Sequence, residues 1–149
     1  DFQKDLVRKK GISIIYQQNN LLSDFTALEN VSIPLVNNGY SWKNAIRKST
    51  KILSLVNLTK RLNHFPSELS GGEQQRVAVA RALVNEPAII FADEPSGNLD
   101  TQNANELHEL FLKLRDEIGQ TFVIVTHNRE LASMSNKEYI LKDGTISMS

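Results

Sequence analysis

The chain has no cysteine. Disulfides, thiolate metal sites and cysteine nucleophiles are therefore excluded. It also lacks an excess of one charge: 17 Lys+Arg balance 17 Asp+Glu. Whole-chain charge thus gives no support for binding nucleic acid or another polyanion. No apolar run approaches the roughly 20 residues that a membrane helix needs. Internal repeats and low-complexity segments are missing too. Glycine is scarce, and none of Gly11, Gly39, Gly71, Gly72, Gly97, Gly119 and Gly144 precedes a lysine. The phosphate cradle Gly-x-x-x-x-Gly-Lys-Ser/Thr is therefore not found in these 149 residues. The length suits one domain. The first residue is Asp1 rather than Met, so the lack of a signal peptide carries little weight.

What is present centres on residues 69–100, LSGGEQQRVAVARALVNEPAIIFADEPSGNLD. Ser70 followed three residues later by Glu73 forms a capping box, which satisfies free backbone donors at a helix start. Such boxes are common and mean only that a helix begins. The glycines between them, Gly71 and Gly72, say more. Glycine is a poor helix former, but at a first turn its bare amides can approach an anion, and a helix N-terminus favours phosphate. Residues 88–92 (AIIFA) show no period-2 alternation and read as a strand buried on both faces of a parallel sheet. In such sheets ligands bind beyond the carboxyl ends of the strands. Asp93 and Glu94 stand at that end, where unpaired acids are too costly to be core. One acid there can hold Mg²⁺, and a second can take a proton from an attacking water.

These residues carry a family resemblance. LSGGEQQR resembles the signature motif of ABC-type ATPases, residues 89–94 their Walker B strand with its glutamate, and residues 96–100 (SGNLD) their D-loop. The fold implied is an α/β, P-loop NTPase-like ABC ATPase domain, in part. It is a mostly parallel sheet flanked by helices, with an inserted helical subdomain. The implied substrate is ATP, with Mg²⁺. The resemblance makes Glu94 the general base, places Mg²⁺ on Asp93, and has His127 position the γ-phosphate as the family's H-loop histidine. Gln17 matches the Q-loop glutamine that reaches both the magnesium and the attacking water. Two such domains close head to tail in the family. Ser70, Gly71 and Gly72 would then bind the γ-phosphate of a second copy, and Asp100 would couple the two sites. A transmembrane permease is the other implied partner, nucleic acid is not, and the place is peripheral, on the cytoplasmic side of the cell membrane.

The rest of the chain fits this frame. Residues 1–10 are polar and basic and read as a solvated approach to a strand. Residues 12–16 read as a short buried strand, and Gln17 and Gln18 follow. Thr26 with Glu29 forms another capping box, and Pro34 should end or kink that helix. Ser41 caps the next. Its apolar face is Trp42, Ala45, Ile46, Ile52, Leu53 and Val56, with Lys43, Arg47, Lys48 and Lys51 mostly on the solvated side. Pro66 stops the leucine-containing stretch before it. Residues 19–84 as a whole look helical. Exposed Leu21, Leu22 and Phe25 would suit the permease contact. Ala104, Leu107, Leu110, Phe111, Leu114 and Ile118 mark an amphipathic helix capped by Asp100 or Thr101 and ended by Gly119. Residues 121–126 (TFVIVT) read as another doubly buried strand with His127 directly after it. His64 and His108 read as surface residues. Residues 139–146 read as a closing hairpin.

The expected layout is a Q-loop strand region at 1–18, a helical subdomain with the signature at 19–86, and a core with Walker B, D-loop and H-loop at 87–149. The family pattern puts the phosphate cradle and the adenine-stacking aromatic before Asp1, so the expectation is a fragment of the family domain. Loss of the central strand would leave open hydrophobic edges, which invite pairing with another chain. Within the family, TALENVSIPL, ADEPSGNLD and GQTFVIVTHNRELA are similar to the branch of lipoprotein-releasing and macrolide-exporting ATPases. A DNA-repair or chromosome-structure ATPase would place a long coiled coil between Q-loop and signature, and no sustained heptads occur there. The remaining rival is a non-catalytic piece that offers a signature surface but cannot turn over ATP alone.

Overall fold

A computed structural model describes residues 11–148. The basic segment at 1–10 lies outside the described residues. Three parallel strands form the sheet in the order β1 (Ile12–Ile15), β2 (Ile89–Asp93), β3 (Thr121–Val125). Parallel neighbours need crossovers. The first crossover holds α1 (Ala27–Asn37), α2 (Trp42–Leu55) and α3 (Gly71–Leu83), and the second is α4 (Thr101–Ile118). A short helix α5 (Arg129–Ser133) leads to the antiparallel hairpin β4 (Tyr139–Lys142) and β5 (Thr145–Met148). The hairpin expected from sequence is thus present.

The core lies on one side of the sheet. Ile15, Ile90 and Ala92 are buried among Val77, Val79 and Leu83 of α3 and Leu107, Leu110, Phe111 and Leu114 of α4. The Phe111 ring packs on Phe122 of β3 with centroids 4.9 Å apart, tilted by 57°. Register puts Ile15, Ala92 and Ile124 in one row toward these helices, and Ile14, Phe91 and Val123 in the next row on the opposite face. Ile14, Phe91, Val123 and Val125 are all exposed. This corrects the reading of β2 and β3 as strands buried on both faces, and of β1 as a short buried strand. A continuous apolar run hides the period-2 split between covered and uncovered faces. Apolar rows of this kind favour association. Light scattering across a dilution series of this chain is expected to show species larger than a monomer at the higher concentrations. A monomer throughout would remove the expectation.

Local chemistry sets the helix ends. Thr26, Ser41, Ser70 and Asp100 cap α1, α2, α3 and α4 through their side-chain oxygens, each worth about 1 kcal/mol. Several expectations need correction. Pro34 does not end α1, which runs to Asn37 with the proline inside it, so of the two expected effects only a kink is left; burial of Val31 and Leu35 offsets the missing backbone bond. Residues 19–26 are loop rather than helix. Pro66 opens a short 3₁₀ turn, Pro66–Glu68, instead of only stopping what precedes it, as its fixed φ allows at a first helical position. Trp42 and Ile118 sit at helix ends and are exposed, whereas Ser49 is buried on the apolar face of α2. His108 is fully buried, not on the surface.

Candidate active site

Because β1, β2 and β3 run parallel, their carboxyl ends meet at one edge. Gln17, Asp93 with Glu94, and His127 all stand at or just beyond those ends. Glu94 has φ +42°, a left-handed backbone that costs a non-glycine residue roughly 1–3 kcal/mol and is concentrated at functional sites. Its backbone N–H donates to Val125 O at 2.8 Å. Its carboxylate accepts three hydrogen bonds. Thr126 Oγ1 donates to Oε2 at 3.1 Å, and the His127 N–H donates to Oε1 at 2.8 Å. His127 Nδ1 lies 2.6 Å from the same Oε1. Partial burial pushes the Glu94 pKa up, but the hydrogen bonds from His127 and Thr126 outweigh it and hold the carboxyl below its ordinary range. Glu94 is therefore an anion at neutral pH. The His127 side chain is 86% exposed, so the ring can leave Glu94 without unpacking the core.

Gln17 belongs to a second constellation. Its Nε2 donates to Asn98 Oδ1 at 3.0 Å, and Asn98 Nδ2 donates back to Gln17 O at 3.4 Å. A methyl group on Gly97 would come within 2.8 Å of Gln17 Nε2, so a side chain at 97 would displace the Gln17 amide. The loop after β1 is also tied to α3. Gln75 Nε2 donates to Tyr16 O, Asn19 Nδ2 to Gln74 Oε1, and Arg81 to Asn19 O and Asn20 O at 2.7 and 2.9 Å. Burial lowers the Arg81 pKa, yet a guanidinium keeps its charge at any ordinary pH. A cleft of about 340 Å³ opens here, lined by Gln17, Asn19, Gly71, Gln75, Asn98 and Leu99 among others.

Ser70, Gly71 and Gly72 form the first turn of α3. Ser70 and Glu73 make the expected reciprocal pair, and Arg61 Nε holds Glu73 at 2.8 Å. Gly71 approaches Leu99, and Gly72 is buried against Asn103. Asp100 accepts from Asn103 twice, at N and at Nδ2, both 2.8 Å. These two bonds lower the Asp100 pKa. The structure thus gathers Ser70, Gly71, Gly72 and Asp100 around Leu99 and Asn103, and it pairs Glu94 with His127. It does not join Gln17 to Asp93: among the described residues no hydrogen bond links them, and Gln17 turns to Asn98. No three His, Cys, Asp or Glu among the described residues converge as a metal cage. Asp93 and Gln17 offer oxygen donors in small number, which suits Mg²⁺, an ion that keeps several waters and phosphate oxygens as ligands.

Sequence reading missed Asn98, Asn103, Thr126, Gln75, Arg81 and His108. Only His108 carried a usable signal: it lies four residues after Ala104, on the same helical stripe.

The family described as ABC transporter matches residues 2–97. Among curated proteins, the "Lipoprotein-releasing system ATP-binding protein LolD" of Bacteroides thetaiotaomicron is 55% identical over 139 residues, covering 93% of this chain and 64% of the relative. The protein of the same name from Rickettsia typhi is 53% identical, covering 96% of this chain and 65% of the relative. Among solved structures, "Dimeric structure of a post-hydrolysis state of the ATP-binding cassette MJ0796 bound to ADP and Pi" aligns with a TM-score of 0.82 at 37% identity. It covers 99% of this chain and 67% of that one. The parallel sheet with its flanking helices is therefore the α/β fold of an ATP-binding cassette. The chain belongs to the ABC transporter family. It spans about 64% of the length of the curated relatives it matches.

Proposed function

We propose that this chain is the larger part of the ATP-binding and ATP-hydrolysing subunit of an ABC transporter that releases lipoproteins from a membrane. The observation that carries the hydrolytic reading is the Glu94 carboxylate, held beyond the end of β2 by Thr126 and His127 on a strained backbone. The lipoprotein reading is supported by relatives named for that process at 52–55% identity. The proposed organisation keeps the divisions at 1–18, 19–86 and 87–149.

In this reading Glu94 accepts the proton of the attacking water. Its low pKa keeps it ionised and ready. The His127 ring gives up its contact with Oε1 when it turns toward the γ-phosphate, and that oxygen, still accepting from the His127 backbone N–H, then has a lone pair for the water. Asp93 and Gln17 would hold Mg²⁺, which would supply charge neutralisation; for that, Gln17 would have to release Asn98. Ser70, Gly71 and Gly72 present helix N-terminal amides to the γ-phosphate of a second copy packed head to tail. Asp100, fixed by Asn103, links the two sites. Catalysis is mainly positioning and electrostatics, as in phosphoryl transfer generally. Leu22 and Phe25, both exposed, face a transmembrane permease partner, on the cytoplasmic side of the membrane. No nucleic acid takes part.

Calorimetric titration with Mg-ATP tests the division of labour. This chain alone is expected to give no saturable heat, because its 149 residues hold no Gly-x-x-x-x-Gly-Lys-Ser/Thr cradle. The complete protein is expected to saturate and to turn ATP over. A complete protein that binds no ATP would end the ATPase reading. Saturable binding by this chain would move the phosphate site to the α3 N-terminus.

A further inference from the structure

Most of the apolar stripe of α4 is ordinary packing, with Leu107, Leu110, Phe111 and Leu114 all buried. His108 stands in the same stripe at 0% exposure. An imidazole buried there loses its hydration and must recover it through hydrogen bonds. Among the described residues one is made: Nε2 lies 3.0 Å from Ser96 Oγ, and Nδ1 is buried with no partner there. Ser96 is itself buried. A leucine or phenylalanine at 108 would match its neighbours and orphan no ring nitrogen, so packing alone does not account for the histidine.

Ser96 is the floor of the turn that joins β2 to α4. Gly97 N–H donates to Glu94 O at 3.0 Å, and Leu99 N–H donates to Ser96 O at 3.1 Å. The next two residues are the ones that meet Gln17: Gly97 by close approach and Asn98 by two hydrogen bonds. The turn therefore joins Glu94 at one end to Gln17 along its side, and the buried side chain that anchors it from α4 is His108. Burial lowers the His108 pKa, against an opposing pull from Glu130, so the anchor is a neutral ring.

We infer that His108 is a positioning residue of the hydrolytic site: through Ser96 it fixes the turn against which Gln17 and Glu94 are set. The inference rests on the ATPase reading above. It also predicts a structural effect that needs no turnover, which is a change at the Gln17 side-chain amide.

The test uses Ser96→Ala, His108→Phe and His108→Gln, with Leu107→Ala as a packing control. Turnover is measured in the complete protein, and the Gln17 Nε2 amide resonance is followed by NMR in the 149-residue chain. Ser96→Ala and His108→Phe should each lower kcat roughly tenfold with KM for ATP within about twofold, since displacing a positioned group by about 1 Å can cost up to 10²-fold. The double variant should be no slower than the slower single one. Glutamine can place an amide near the Nε2 position, so His108→Gln should recover most of the loss. The Gln17 resonance should shift in Ser96→Ala and stay in place in Leu107→Ala, although Leu107→Ala lowers the melting temperature. Unchanged kcat and an unmoved resonance in Ser96→Ala would overturn the inference, as would additive losses. Should His108→Phe fail to fold, Ser96→Ala decides alone. If the unsubstituted protein shows no turnover, that failure belongs to the ATPase reading, and the Gln17 resonance then decides for His108.

Discussion

Glu94→Gln in the complete protein is expected to cut ATP turnover by about 10²–10⁴-fold, the range that general-base catalysis supplies, while leaving ATP bound. Glutamine is isosteric with glutamate: its oxygen in the Oε1 place can still accept from the His127 N–H, and its amide nitrogen in the Oε2 place can donate to Thr126 Oγ1, but it cannot take a proton from water. The fold should tolerate it. The contact most disturbed is that between Oε2 and Thr126 Oγ1, where the hydroxyl must turn from donor to acceptor. Near-normal turnover would remove Glu94 from the general-base role, whatever its place in the structure.

The same contacts make a statement about pH. The Glu94 pKa is lowered in the folded chain, so the folded state binds its proton less readily than the unfolded chain does. The tie to the 126–127 loop therefore contributes stability above the unfolded carboxyl pKa. That contribution is lost as pH falls through the lowered folded value. It is not an alkaline effect, and it vanishes in Glu94→Gln, whose stability should be flatter across the acid range.

How much of this was legible beforehand depended on whether the signal was local. Caps were legible because a capping side chain acts within three residues: Thr26, Ser41, Ser70 and Asp100 all do what their sequence positions imply. The strands were legible as strands, but not their one-sided burial. Apolar residues at 88–92 and 121–125 say nothing about which face a helix covers. Glu94, Asp93 and His127 could be placed at one edge of the sheet because each directly follows an apolar run, and parallel pairing brings such positions together. The Glu94–His127 bond itself spans 33 residues and was not readable. Gln17 could be placed just after β1, but its commitment to Asn98, 81 residues away, could not be read. Distant polar pairs depend on the packing of α3 and α4, which single-residue patterns do not encode. His108 was misread for a different reason. Its type suggested surface, while its spacing placed it on the buried stripe, and spacing was the better guide.

Gly72→Ala should destabilise the chain. In a helix, replacing glycine with alanine normally stabilises by about 0.8–1.0 kcal/mol. Here the sign reverses. A methyl group at position 72 would lie 2.7 Å from Asn103 Cγ and 3.0 Å from its Cβ, and closer still to Oδ1. Asn103 cannot simply swing away. Its Nδ2 donates to Asp100 Oδ2 and its backbone N–H to Asp100 Oδ1, so moving it loosens the cap of α4 and pushes α3 from the turn at 97–100. Overpacking of this kind costs about 1–3 kcal/mol, read as a fall in the urea midpoint at unchanged m-value. Gly71→Ala is the internal control: its methyl would meet only Leu99 Cδ2 at 3.6 Å, an ordinary contact, and its stability should stay near that of the parent. Truncating the obstacle should restore what was lost, so Gly72→Ala with Asn103→Ala should be more stable than Gly72→Ala alone. In the complete protein, turnover should fall with Gly72→Ala and remain low in the double variant, because Asp100 has then lost a side-chain partner while the first turn of α3 still carries the added methyl. A Gly72→Ala chain as stable as the parent, or a double variant no better than the single one, would show that contact with Asn103 is not what keeps this position glycine. The glycine would then have to be explained by what approaches the helix end from outside the chain.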